Sequence, residues 1–142
     1  NVNVAFTPGN LPKMLLDQTQ LQRVFTNLIV NAVQAMPEGG KLVIHTTNIC
    51  DIAELSVIDT GVGMNEEIIG RLFTPFFTTK REGVGLGLSI CKQIIEAHGG
   101  ELAVKSKQGQ GSSFIVRLPI HLKEAQENQF SCTVAETVEV KT

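Results

Sequence analysis

No stretch of the sequence approaches the ~18 consecutive apolar residues that a membrane span needs, and the N-terminus lacks the basic-then-apolar order of a signal peptide. A cytoplasmic chain without membrane contact is expected. There is no excess of basic charge either. Twelve Lys+Arg stand against fourteen Asp+Glu, a net charge of −2, which excludes a broad basic footprint and with it nucleic acid as a main partner. Cysteine is sparse: Cys50, Cys91 and Cys132 are odd in number and far apart, with neither CxxC nor Cys/His ligand spacing. Three reduced thiols are expected, with Cys91 as a small core residue on a helix. Internal repeats are absent, and no linker is evident before about residue 122.

What remains is an ordinary globular composition, 42% hydrophobic and 18% charged over 142 residues. A chain of this length buries roughly 70% of the surface its unfolded form exposes, enough for one core without staples. One domain over residues 1–122 is expected, followed by a tail over 123–142 that holds four Glu and two Lys. The Gln- and Glu-rich composition of the tail, with Val138 and Val140 in alternation, suits a flexible end or a strand that forms only with a partner.

Val2, Val4 and Phe6 alternate with polar residues and predict a short first strand before the Thr7-Pro8-Gly9-Asn10 break. A helix follows from the N-cap Asp17 to Met36, ended by Pro37-Glu38-Gly39-Gly40. Leu42–Thr47 and Glu54–Ile58 alternate as two strands around a turn over Asn48–Ala53. A short helix over 65–72 begins at Asn65, and Phe73–Gly87 is too irregular for either regular state. Leu88–His98 is helical again, stopped by Gly99-Gly100, and strands over Glu101–Ser106 and Ser113–Ile120 close the domain. The order β-α-β-β-α-loop-α-β-β is α+β, with helices on one face of a mixed, mostly antiparallel sheet.

Three features carry chemistry. On the first helix Gln20, Arg23, Asn27, Asn31 and Gln34 form one narrow stripe at ~100° per residue, while apolar residues cover the rest, so the helix is expected to be buried nearly all round. Its stripe then faces solvent or a polar ligand. The amide oxygens of Asn27 and Asn31 lie one turn apart and suit a Mg²⁺ whose charge is mostly matched by phosphates. The second feature is Asp59-Thr60-Gly61-Val62-Gly63-Met64, directly after a strand. Its carboxylate can accept the exocyclic amine of adenine, with glycines giving the ring room, or it can simply cap a turn. The third is Gly83-Val84-Gly85-Leu86-Gly87-Leu88 before a helix, where backbone amides and the helix N-terminus can converge on phosphate. It matches neither GxGxxG nor a P-loop. Three of the seven Phe, Phe73, Phe76 and Phe77, precede it with Lys80 and Arg81, a composition that suits a mobile lid with apolar anchors and phosphate-facing cations.

NLIVNAVQA at 27–35, DTGVGM at 59–64, LFTPFFTTK at 72–80 and GVGLGL at 83–88 resemble, in order and spacing, the N, G1, F and G2 boxes of the ATP-binding catalytic domain of sensor histidine kinases. That superfamily also holds gyrase, mismatch-repair ATPases and large heat-shock chaperones. The resemblance runs from about Asn1 to Ile120, and the stretch from FFTTK to HGG looks most like the nitrogen-regulation and oxygen-sensing subgroup. It implies a Bergerat-type two-layer α/β sandwich, three helices on one face of the sheet and an ATP lid, with ATP and Mg²⁺ as ligands.

Carried over residue by residue, the resemblance makes Asn31 the Mg²⁺ ligand and Asp59 the acceptor of the adenine amine. Gly61 and Gly63 would line the base, Gly83, Gly85 and Gly87 would form the phosphate lid, and Ser113 would stand where many relatives place a Thr. Asn27, Gln34, Met64, Phe73, Lys80, Arg81, Leu86 and Leu88 complete the implied nucleotide site. Hydrolysing members keep a Glu at the position of Asn27, and an amide cannot take a proton from water. That favours phosphoryl transfer to a histidine on a separate dimerisation domain of a parent kinase, with a response regulator downstream and this domain itself monomeric. None of His45, His98 and His121 lies in the acidic setting of a phosphoacceptor; each reads as structural. An anti-sigma-type nucleotide-dependent regulator and a gyrase-type ATPase dimer module are the rival readings.

Overall fold

The computed structural model describes residues 1–78, 85 and 87–120. Its elements follow the expected order: β1 (Val2–Thr7), α1 (Gln18–Gln34), β2 (Gly40–Ile49), β3 (Ile52–Asp59), α2 (Glu66–Arg71), α3 (Gly87–Ala97), β4 (Glu101–Lys107) and β5 (Gly111–Pro119). The five strands form one sheet in the order β1-β2-β3-β5-β4. β1 runs parallel to β2 and every other neighbour pair is antiparallel, so the sheet is mixed, as the sequence suggests.

Local chemistry sets the element ends. Asp17 caps α1, its Oδ1 accepting from the Gln20 N–H at 3.1 Å, and Asn65 caps α2 by accepting from the Ile68 N–H at 2.9 Å. Glu66 and Glu67 in the first turn of α2 and Arg71 in its last suit the helix dipole. α3 ends on Gly99 at φ 77°, which lets the Gly100 N–H reach back to the Ile95 carbonyl at 2.9 Å. The β2–β3 connection is shorter than the expected turn over 48–53. Cys50 and Asp51 alone make it, both at positive φ (51° and 64°), and Asn48 and Ile49 continue the ladder opposite Ala53 and Ile52. A two-residue hairpin loop of this handedness matches strand twist, yet it is built here without glycine.

The core lies between α1, α3 and one face of the sheet. Leu28, Val24 and Ile95 from the helices meet Leu42, Val57 and Val116 from the strands, all at 0–1% exposure. α1 is less enclosed than its composition suggests. Leu21, Val24, Leu28 and Ala32 are buried, but Val30 and Val33 are 45% and 42% exposed, because the sheet and α3 between them cover only part of the helix surface. On the opposite face of the sheet Arg117 lies in register between Glu54 and Glu101, with its Nε 3.0 Å from Glu54 and a terminal nitrogen 3.7 Å from Glu101. Cys91 is a free, buried thiol, as expected, and Cys132 and the tail over 123–142 lie outside the described residues. No helix among the described residues is long and apolar enough to cross a membrane.

α1 and α3 are joined at one end by His98. Its Nδ1 lies 2.8 Å from the Ile94 carbonyl, and its Nε2 accepts from the Asp17 N–H at 3.2 Å. The carbonyl can only accept, so the imidazole is neutral with its proton on Nδ1. His98 thus satisfies one of the four unpaired N-terminal amides of α1 from the neighbouring helix. Replacing His98 by Ala should cost about 1–2 kcal/mol, the scale of two net hydrogen bonds. Urea denaturation with an unchanged slope checks this, and an unaltered midpoint would show that the link contributes nothing.

Candidate functional site

β3 ends on Asp59, whose side chain is 3% exposed. Its Oδ1 accepts from the Gly61 N–H at 2.8 Å. Burial pushes the carboxyl above the ordinary aspartate range, while hydrogen bonds from the backbone N–H groups of Gly61 and Ser112 act in the opposite sense. The chain then turns sharply along the end of α1. The Val62 N–H donates to the Ala35 carbonyl at 3.0 Å, and a Cβ on Gly61 would lie 2.3 Å from that same oxygen, so only glycine fits. Gly63, at φ 67°, passes the Lys107 carbonyl where a Cβ would stand at 2.1 Å. Thr60 ties the loop to the start of β2, accepting from the Lys41 N–H at 3.0 Å. The Asp59 carboxylate is therefore held by a loop clamped between α1 and the β4–β5 turn.

Two serines that the sequence reading passed over complete this floor. Ser112 is in direct register with Asp59 across β3 and β5, whereas Ser113 pairs with Ile58. Side chains alternate between the faces of a sheet, so Ser113, though buried, stands on the face away from Asp59, and Ser112 is the serine that shares the face of Asp59. Ser106 on β4 is the second. It accepts from the Met64 N–H at 2.8 Å, donates to the Gly111 carbonyl at 2.9 Å and lies 2.7 Å from the Ser112 hydroxyl. The period of two, counted back from the core residue Phe114, points to Ser112.

The second part of the site lies where α1 meets the start of α3. Asn27 is half-buried, and a Cβ on Gly87, the first residue of α3, would lie 3.7 Å from its Oδ1. The N-terminus of α3, the positive end of its dipole, thus opens beside a neutral amide. Asn31 is half-buried one turn on, and Gln34 is exposed. Leu88 packs against the core, as does Met64, whose N–H is taken up by Ser106.

Two of the three Phe named above have packing partners. Phe73 packs against the core with the Lys92 ammonium 5.3 Å from its ring centre, and Phe77 lies 4.9 Å beneath the Arg71 guanidinium. Phe76 is 71% exposed and sits at φ 67°, a left-handed backbone that turns it away from the protein. Its N–H donates to the Gly85 carbonyl at 2.9 Å. Gly85 is itself at φ 83°, and a Cβ there would meet the Phe76 backbone at 2.5 Å. Gly85 thus lies directly against the Phe76 backbone. Lys80, Arg81, Gly83 and Leu86, and His121, lie outside the described residues.

Known proteins resemble this chain in sequence and in fold. The profile of the histidine kinase-, DNA gyrase B- and HSP90-like ATPases matches residues 16–122. Sporulation kinase C of Bacillus subtilis (strain 168) is 45% identical over 104 residues, covering 73% of this chain and 24% of that protein. The chain thus spans about a quarter of that relative. Among solved structures, the nucleotide-free catalytic domain of the histidine kinase ThkA superposes with a TM-score of 0.74 at 35% identity, covering 84% of this chain and 79% of that one. Full-length ShkA in complex with AMPPNP gives 0.75 at 32% identity, covering 83% of this chain and 25% of that one.

The raised Asp59 pKa has a definite sign for stability. A carboxyl that holds its proton more tightly when folded favours folding below the ordinary aspartate range, and that contribution is lost as pH rises through the folded value. At neutral pH the buried carboxylate therefore weakens the fold. Asp59→Asn should be at least as stable as the parent at pH 7, with its advantage growing from about pH 4 upward. Thermal unfolding across that range tests this; an advantage that shrinks with rising pH would contradict it.

Proposed function

The chain belongs to the family of histidine kinase-, DNA gyrase B- and HSP90-like ATPases, with the histidine kinase catalytic domains, and we propose that it binds Mg·ATP and presents the γ-phosphoryl group to a histidine on a dimerisation helix of a longer protein. The observation that carries this reading is the spacing of two subsites along one helix. Asn27 faces the start of α3, and Ala35 holds the Asp59 loop. Their separation of eight positions spans about 12 Å at 1.5 Å per residue, the scale of an adenine-to-γ-phosphate reach. The AMPPNP bound to the relative ShkA supports a nucleotide as the occupant.

In this reading Asp59 accepts the exocyclic amine of adenine, Gly61 and Gly63 leave room for the ring, and Gly85 and Gly87, with the lid residues Lys80, Arg81, Gly83 and Leu86, surround the phosphates. Among the described residues no group of three His, Cys, Asp or Glu could hold a metal ion, and the polar groups on offer are the neutral amides of Asn27 and Asn31. Neutral oxygens fit a Mg²⁺ that arrives already charge-matched by phosphate, and Asn31 would complete its coordination. When bound, Mg²⁺ would neutralise charge on the transferring group. Asn27 cannot act as a base toward water, so the contribution of these residues is to orient the phosphates and leave hydrolysis slow. The phosphorylated histidine would pass its phosphoryl group to a response regulator.

Two measurements check the proposal. Asp59→Asn removes a charge-assisted hydrogen bond of roughly 1.5–3 kcal/mol, so the Kd for a fluorescent ATP analogue should rise about tenfold to a hundredfold; an unchanged Kd would withdraw the adenine role. Incubation with radiolabelled ATP should label a separate histidine-bearing dimerisation fragment of the parent kinase, with acid-labile chemistry, and leave the domain alone unlabelled. Label on His45 or His98, or rapid hydrolysis without the fragment, would overturn the transfer reading.

A further inference from the structure

We infer that Ser106, on β4 and not in contact with the base, is a positioning residue that fixes the Ser112 hydroxyl as a hydrogen-bond acceptor and so helps the site choose an amino-bearing over an oxo-bearing purine. The inference rests on the adenine reading of Asp59 given above. Proton bookkeeping carries it. A serine hydroxyl has one hydrogen and two lone pairs. Ser106 Oγ has three partners: the Met64 N–H at 2.8 Å, the Gly111 carbonyl at 2.9 Å and Ser112 Oγ at 2.7 Å. The Met64 amide can only donate and the Gly111 carbonyl can only accept. The one hydrogen of Ser106 is committed to Gly111, and the Ser112 contact is a hydrogen bond only if Ser112 is the donor.

Ser112 Oγ then has no hydrogen left for a ligand. It stands in direct register with Asp59, and both side chains are buried, at 8% and 3% exposure. The floor of the subsite is thus acceptor beside acceptor. An exocyclic amine, or a water bound to it, brings hydrogens to both. The oxo group of guanine brings lone pairs against both, in a place where unpaired polar atoms are costly. Without Ser106 the Ser112 hydrogen is free to rotate toward an oxo group, and one of the two obstacles to guanine is lifted.

The test is the ratio of Kd for GTP to Kd for ATP, measured by competition against a fluorescent ATP analogue on the domain. Ser106→Ala should lower the ratio about three- to tenfold, the scale of one neutral hydrogen bond, and Ser106→Thr, which keeps the hydroxyl, should restore it. In the Ser112→Ala background, Ser106→Ala should change the ratio no further, because the residue acts through Ser112. Partial unfolding of a variant scales both apparent affinities alike and leaves the ratio intact. Equal weakening of ATP and GTP by Ser106→Ala would reduce Ser106 to a structural tie and overturn the inference, as would an effect that persists without Ser112. A parent domain that binds both nucleotides equally would instead remove the adenine reading itself, and this inference with it.

Discussion

A carboxylate withdrawn from water must be solvated by the protein, and in this domain the demand of Asp59 organises its surroundings. Two backbone N–H groups, from Gly61 and Ser112, take the place of water. To supply the first, the chain must fold back two residues after the strand, which forces Gly61 against the Ala35 carbonyl. To supply the second, β5 must lie beside β3 in the register that sets Ser112 opposite Asp59. Gly111, at φ 95°, allows that approach, since a Cβ there would stand 2.0 Å from the Asp59 carbonyl. The net effect is a charge kept at some expense to stability, in keeping with a group retained for binding.

The other end of the site is organised by helix packing. α1 and α3 pack together beneath the polar stripe, and their contact brings Asn27 to the first turn of α3. The His98 link to Asp17 lies at the opposite end of the same pair. The two helix N-termini are thus treated differently. The N-terminus of α1 is closed by a side chain from its neighbour, while Gly87 at the start of α3 offers nothing bulky in front of Asn27.

Much of this was legible in the sequence wherever the controlling chemistry is local. Asp17 and Asn65 announce their helices because a short acceptor side chain pairs with the amide three residues on. The Asp59-Thr60-Gly61 turn announces itself because only glycine tolerates that path. What failed did so for non-local reasons. Ser113 was implied by the resemblance alone, and the partner of Asp59 across the sheet is fixed by strand register, which brings Ser112 opposite it. Ser106 carried no signal, since its partners come from three different segments. The exposure of Val30, Val33 and Phe76 depends on which neighbours each surface meets. The two-residue turn at Cys50 and Asp51 lacks the glycine by which such turns are recognised.

The Ala35 carbonyl, at the C-terminal end of α1, holds the Val62 N–H. Asn27 lies on the same helix, two turns earlier. A helix is stiff along its axis, so a shift at either end is transmitted as a near-rigid displacement to the other. The two halves of an occupant are therefore read by one mechanical body. Seating the first half aligns the receptor for the second, and the free energy of the joined molecule exceeds what its separated halves would deliver, in the manner of a tethered pair with high effective concentration. With the nucleotide proposed above as the occupant, nucleoside and polyphosphate would become, for this helix, a single object recognised by its length.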